Sequence, residues 1–134
     1  MRIEHIAIWT EQLELLKSYY ETYFDGRSND LYVNETTGFR SYFLEFASGS
    51  RLELMSRPGI PANANDPVQQ YSGLIHFAFE VSSMQAVDEK AAELSKAGYT
   101  ILRGPRKTGD GYYEFETLDP DRNRLEVMSL FRDE

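Results

Sequence analysis

Apolar and polar positions along the chain fall into two cycles of the same form. Residues 3–9 are rich in β-branched and aromatic side chains, and apolar residues then recur at 13, 16, 20, 23 and 24, which is helical spacing. This predicts a strand over 3–9 and a helix over 12–24. Strand-like segments follow around 30–34, 40–47 and 50–56. The second cycle starts with a strand pattern over 74–81. Ser82, with Gln85 three residues on, has the spacing of a capping box, and Met84, Val87, Ala91 and Leu94 form a helical stripe that Gly98 terminates. Further strands are expected at 99–102, 112–118 and 123–130. Asp119-Pro120-Asp121 supplies the turn that makes the last two a hairpin. Between the cycles, residues 58–73 carry three prolines among Asn, Gln, Ala and Gly and read as a connector.

The cycles are related in sequence as well as in pattern. Arg51-Leu52-Glu53-Leu54-Met55-Ser56 returns as Arg124-Leu125-Glu126-Val127-Met128-Ser129, 73 residues later, and Glu4-His5-Ile6-Ala7-Ile8 matches Ile75-His76-Phe77-Ala78-Phe79 at an offset of 71. Tyr42-Phe43 stands 71 residues before Tyr113-Glu114, in segments of similar aromatic character. An internal repeat decides architecture. The expectation is one α+β domain over 1–134, built as two βαβββ modules in tandem (1–57 and 74–131) that form curved mixed sheets around a concave metal site.

The metal expectation comes from what the repeat carries. The chain has two histidines, His5 and His76, at equivalent positions in the first strand of each module. Glu53 and Glu126 are equivalent in the last strands. Period-two alternation sets His5 with Ala7 and Trp9, away from Ile6 and Ile8, and sets His76 with Ala78, away from Phe77 and Phe79. Glu53 opposes Leu52 and Leu54, and Glu126 opposes Leu125 and Val127. The apolar face of each sheet suits packing on the module's helix, which leaves the His and Glu side chains on the other face, with Ala7 and Ala78 keeping space above it. Taken singly, a strand glutamate faces solvent and a strand histidine is a structural residue; recurrence of both in register sets these apart. Two imidazoles and two carboxylates suit one divalent ion (Zn, Ni, Mn, Fe or Co), leaving two positions of an octahedral shell for water or substrate.

Composition narrows the setting. The 134 residues contain no cysteine, which removes disulfides, thiolate metal sites and a cysteine nucleophile. Fourteen Lys and Arg against 22 Asp and Glu give a net charge of −8, a poor match to nucleic acid or an anionic membrane surface. No apolar run approaches membrane-spanning length and no signal peptide is evident, so the expected setting is cytoplasmic. Exposed sheet edges predict a homodimer. Arg103, Arg106 and Lys107 form a basic cluster, read as a solvated loop or as a flexible lip that grips an anionic substrate group. Trp9 shares the His5 face and is a candidate pocket wall. Arg57, Arg103, Lys107 and Tyr113 complete the candidate substrate contacts.

The two modules with His5, Glu53, His76 and Glu126, and the ending Gly109-Asp110-Gly111-Tyr112-Tyr113-Glu114 followed by Asp119-Pro120-Asp121-Arg122-Asn123-Arg124-Leu125-Glu126, resemble the glyoxalase I / vicinal oxygen chelate superfamily over nearly the whole chain. Glu at position 53 is similar to the glyoxalase and isomerase branch, whereas extradiol dioxygenases of this fold use two His and one Glu. The resemblance implies a metal-dependent lyase or isomerase that moves a proton next to a carbonyl of a small vicinal-oxygen substrate through an enediolate, with Glu126 as general base then acid and Glu53 as its counterpart. Glutathione-dependent bacterial members carry Arg four residues after the first His and Asn four residues after the first Glu. Here Trp9 and Arg57 stand there, so those glutathione contacts are missing. The family's Asp-Pro-Asp-Gly turn reads Arg122 in place of Gly. Two other functions fit the same fold: a fosfomycin-type thiol transferase or hydrolase, against which the full quartet argues, and a non-catalytic small-molecule or antibiotic-binding protein, which the 13% aromatic content keeps open.

Overall fold

The structure is a computed structural model and describes residues 1–133. The chain divides into two compact units between Asn63 and Ala64. The first holds β1 (His5–Trp9), α1 (Leu13–Phe24), β2 (Arg27–Ser28), β3 (Tyr32–Asn34), β4 (Phe39–Glu45) and β5 (Arg51–Ser56). The second holds β6 (His76–Glu80), α2 (Met84–Lys96), β7 (Ile101–Lys107), β8 (Tyr112–Leu118) and β9 (Arg124–Leu130). The strand orders are β1-β5-β4-β2, with β3 also on β4, and β6-β9-β8-β7. In each unit the first strand runs parallel to the last and the other pairings are antiparallel. Among the described residues, two helices and nine strands in two mixed sheets make the expected α+β fold with tandem modules.

Each sheet buries one face beneath its helix. In the first unit Leu13, Leu16, Tyr20 and Phe24 of α1 are buried with Tyr42, Leu44, Leu52 and Leu54 of β4 and β5. Tyr19 is buried too, a position the apolar stripe omitted. In the second unit Val87, Ala91 and Leu94 of α2 are buried with Phe115, Leu125 and Val127. The hydroxyl of buried Tyr42 donates to Glu14 Oε1 at 2.6 Å, tying β4 to the first turn of α1. That hydrogen bond, then burial and the Glu14 charge, push the Tyr42 phenol above its ordinary 10.0. Tyr42→Phe is expected to cost about 1.5–3 kcal/mol, the usual worth of a hydrogen bond to a charged group. A folded-state pKa above the unfolded one means the tyrosine's contribution is complete below pH 10.0 and is lost as pH rises through the raised value. Urea melts should therefore show a constant gap between wild type and variant up to that pH and a narrowing gap above it; a gap that widens in alkali would contradict the assignment.

Several local expectations shift. β1 starts at His5 and β6 at His76, two residues later than the apolar pattern suggested, because Ile3 and Leu74 are exposed and unpaired by the ladder. The N-cap of α2 is Ser83, whose hydroxyl accepts from Ala86 N–H at 3.1 Å, rather than Ser82. Its C-terminus closes as a Schellman motif, with Gly98 at φ 94° donating to Ser95 and Tyr99 to Leu94. The basic cluster is not a flexible lip: β7 runs on to Lys107 by pairing with β8 through two register shifts. Gly104 makes that possible, since at φ +83° a Cβ there would meet Glu114 carbonyl oxygen at 2.5 Å.

The repeat register in the third and fourth strands of the modules is also corrected. Phe43 lies opposite Glu53, and Glu116 opposite Glu126. Tyr42-Phe43 is therefore equivalent to Phe115-Glu116, at an offset of 73, and not to Tyr113-Glu114. The turn between β8 and β9 is held by the Asp119 carboxylate, which accepts from Asp121 N–H, Asn123 N–H and Asn123 Nδ2, each at 2.9 Å. Arg122 sits in this turn at φ 65°, a conformation in which a Cβ is disfavoured. Arg122→Gly is expected to stabilise the protein by about 0.5–1 kcal/mol, read as a rise in Tm, because relief of the left-handed strain exceeds the added freedom of the unfolded chain.

Candidate metal centre

In the first unit the strand registers lay the face opposite α1 out in rows. His5 pairs with Arg51 and Arg51 with Glu45; Ala7 pairs with Glu53 and Glu53 with Phe43; Trp9 pairs with Met55, Met55 with Ser41 and Ser41 with Tyr32. His5 and Glu53 are thus diagonal neighbours on parallel strands, with His5 Nε2 at 3.7 Å from Glu53 Oε1. The Phe43 ring packs nearly perpendicular to the imidazole, at a centroid distance of 5.4 Å. Behind the ring, His5 Nδ1 is 3.0 Å from Glu4 Oε1, and Glu4 in turn receives Arg51 Nη2 at 2.6 Å. The Arg51 hydrogen bonds, and after them the one from His5, outweigh desolvation and hold the Glu4 carboxyl down at about 2. A carboxylate behind Nδ1 favours the tautomer that leaves the Nε2 lone pair facing Glu53.

The second unit repeats the diagonal and surrounds it differently. His76 pairs with Arg124 and Ala78 with Glu126, and His76 Nε2 lies 2.5 Å from Glu126 Oε2. Across the ladder, the place that Phe43 holds in the first unit is taken by Glu116, and Glu114 follows two residues before it on the same face. One carboxylate oxygen each of Glu114, Glu116 and Glu126 lie within 4.8 Å of one another. Arg124, 7% exposed, donates to Glu116 Oε2 at 2.6 Å and to Pro67 carbonyl at 2.7 Å. Burial first, then a hydrogen bond to Glu126 and the charges of Glu126 and Glu116, push the Glu114 carboxyl up to about 7.

The donor set fits a divalent ion. Two ligands bound at about 2.1 Å and at right angles on one ion stand about 3 Å apart, a separation that the 3.7 Å and 2.5 Å contacts bracket. Each unit thus offers one nitrogen and one oxygen ligand across an alanine row, the hard–borderline mixture that Zn, Ni, Mn, Fe and Co accept.

The other sequence candidates divide between faces. Trp9 is on the His5 face, 41% exposed, and the Arg57 guanidinium lies over its ring at 5.4 Å. Arg103 pairs with Glu116, which puts it on the His76–Glu126 face; Arg106, paired with Glu114, joins it there. Lys107 and Tyr113 pair with each other on the opposite face. Lys107 Nζ stands 4.4 Å from the Phe131 ring centroid, and Tyr113 donates to Asp88 Oδ1 of α2 at 2.7 Å. Both are corrected to the helix side, and Tyr112 takes the ligand-side position on β8. Glu114, Glu116 and Arg124 were missed as site residues. Their signal was the alternation Tyr112, Glu114, Glu116 against Tyr113, Phe115, Thr117, which puts acids on the face shared with Glu126.

The uncharacterized protein YqjT of Bacillus subtilis (strain 168) is 38% identical over 60 residues, 42% of this chain and 47% of YqjT, so the chain matches about half that relative's length. Among solved structures, a glyoxylase/bleomycin resistance protein/dioxygenase domain from Frankia sp. EAN1pec superposes with a TM-score of 0.80 at 20% identity, covering 98% of both chains. The trypanothione-dependent glyoxalase I of Leishmania major gives 0.77 at 20% identity, covering 96% of this chain and 86% of that one. These likenesses establish the fold. The family model of the Glyoxalase/Bleomycin resistance protein/Dioxygenase superfamily matches residues 2–127, and with its tandem modules the chain belongs to that superfamily.

Proposed function

We propose that this is a metal-dependent lyase or isomerase of the glyoxalase I type, a single two-module domain working in the cytoplasm as a homodimer on a small substrate with neighbouring oxygen atoms. One observation carries the reading: in both modules an imidazole Nε2 faces a carboxylate from the diagonal position of a parallel strand pair, at 3.7 Å and 2.5 Å. One divalent ion would take His5 and Glu53 from a first module and His76 and Glu126 from a second. Held there, a divalent ion would supply Lewis-acid polarisation of the substrate's oxygen-bearing end.

The chain's own groups do the rest. Glu126 removes a proton from the carbon beside the carbonyl and returns it to the neighbouring carbon, and Glu53 is its counterpart. A ligated carboxylate is a weak base, so with an ion bound Glu126 would have to loosen from it to take the proton. Glu114, hydrogen-bonded to Glu126, can exchange a proton with it. Arg124 fixes Glu116 from the side, and Glu4 fixes the His5 ring. Arg103 and Arg106, on the Glu126 face, provide positive charge for an anionic part of the substrate.

Elemental analysis after incubation with a panel of divalent metals tests this. Stoichiometric binding is expected in wild type and its loss in His76→Ala and Glu126→Ala, followed by activity on 2-oxoaldehyde adducts assayed with and without glutathione. Wild type that binds no metal above background ends the enzyme reading.

A further inference from the structure

The two ligand-bearing faces differ in what stands beside the His and Glu, and the first is aromatic. Trp9 meets Phe39 edge to face, with centroids 6.1 Å apart and planes at 87°, and Phe39 meets Tyr32 at 6.0 Å and 60°. The rings stand where the register makes room for them. Trp9, Met55, Ser41 and Tyr32 form one row across four strands, and the small Ser41 leaves space in the middle of it. This row is next to the one that holds Ala7 and Glu53. Two residues of strand separate Glu53 from it, about 6.6 Å. Ala7, between His5 and Trp9 on the same strand, puts no bulk in that interval. At the far end Arg57 is exposed and spreads its guanidinium over Trp9 at 5.4 Å, and among the described residues no carboxylate forms an ion pair with it.

We infer that Trp9, Phe39, Tyr32 and Arg57 form a selectivity shelf for the far end of the substrate, and that this far end is a planar aromatic group bearing a negative charge. Trp9 is 41% exposed and packs perpendicular to Phe39, so part of its ring surface faces outward where a ligand ring can pack against it. Among the described residues Arg57 has no carboxylate partner, and its cation–π contact holds the guanidinium beside Trp9, within reach of a charge carried by the ligand ring. The shelf is one row from Glu53, which sets the length of molecule that can reach both. The inference rests on the proposed metal-site reading for the oxygen-bearing end of the substrate, but the shelf's own residues do not include a proposed metal ligand.

Trp9 is the sole tryptophan of the chain, so its fluorescence reports on the shelf directly. The experiment titrates the full chain with phenylacetate, with its neutral amide and with acetate, in the presence of chelator, and repeats the titrations on Arg57→Met. The expected result is saturable quenching by phenylacetate, none by acetate, and binding of the amide about tenfold weaker, as loss of one charge-assisted contact implies. Arg57→Met should bring phenylacetate down to the level of the amide and leave the amide unchanged. Circular dichroism and Tm of Arg57→Met serve as the folding control. Absence of saturable quenching, or equal phenylacetate affinity in wild type and Arg57→Met, overturns the inference. Because these titrations need no metal, a failure of the shelf is distinct from a failure of metal binding, which the elemental analysis reads separately.

Discussion

Glu126→Gln is expected to lower kcat by about 10³-fold or more when assayed at saturating metal on the best 2-oxoaldehyde adduct. The size follows from two losses at one atom: a general base in the reacting position contributes about 10²–10⁴-fold, and a neutral amide oxygen is a poorer ligand that disturbs the ion's position. Glu53→Gln is expected to lose less, about 10–100-fold, an effect the size of a disturbed ligand shell. The neighbourhoods explain the asymmetry. Glu126 has Glu114 hydrogen-bonded to it, with a carboxyl pushed up to about 7, so a proton has somewhere to go. Glu53 has the Phe43 ring opposite it on the ladder, which offers no exchange partner. Added metal separates the two losses, since weakened affinity is recovered by mass action and a missing base is not. Glu126→Gln within tenfold of wild type at saturating metal, with Glu53→Gln inactive, would exchange the two roles.

The parts of this site that were legible in the sequence were those copied twice. The His5/His76 and Glu53/Glu126 equivalence, the alternation that sets them opposite the leucines and valines, and the small Ala7 and Ala78 follow from period two and from the repeat, and the pairing registers preserve them. What was hidden depends on pairing that a single strand does not reveal. The equivalence of Tyr42-Phe43 with Phe115-Glu116 required the ladder, because the first and last strands of the module carry different offsets. The face of Arg103 and Lys107 could not be counted from alternation, since β7 changes register at two places around Gly104. Tyr113 reads equally well on either side until Asp88 of α2 is seen to accept its hydroxyl. Ser82 and Ser83 are adjacent and chemically alike, and only the direction of the chain entering α2 selects the second as cap.

Arg124→Met is expected to destabilise the protein by about 3–5 kcal/mol, the range for removing one member of a buried ion pair and leaving its partner uncompensated. Arg124 and Glu116 are 7% and 12% exposed in their side chains and meet at 2.6 Å. Glu116 also shares a 4.8 Å cluster with Glu114 and Glu126, so the guanidinium neutralises one of three closely spaced carboxylates. Its second bond, to Pro67 carbonyl at 2.7 Å, ties the segment before β6 to β9 and is lost as well. A double-mutant cycle separates the terms: Glu116→Gln in the Arg124→Met background should return about half or more of the loss, because a neutral amide no longer needs the cation, while the Pro67 tether stays broken. Urea unfolding of the two single variants and the double variant measures the coupling. If the double variant is less stable than Arg124→Met, Glu116 does not carry the uncompensated charge, and the acidic face must then be held by another cation, of which Arg106, paired with Glu114 on the same face, is the first to test.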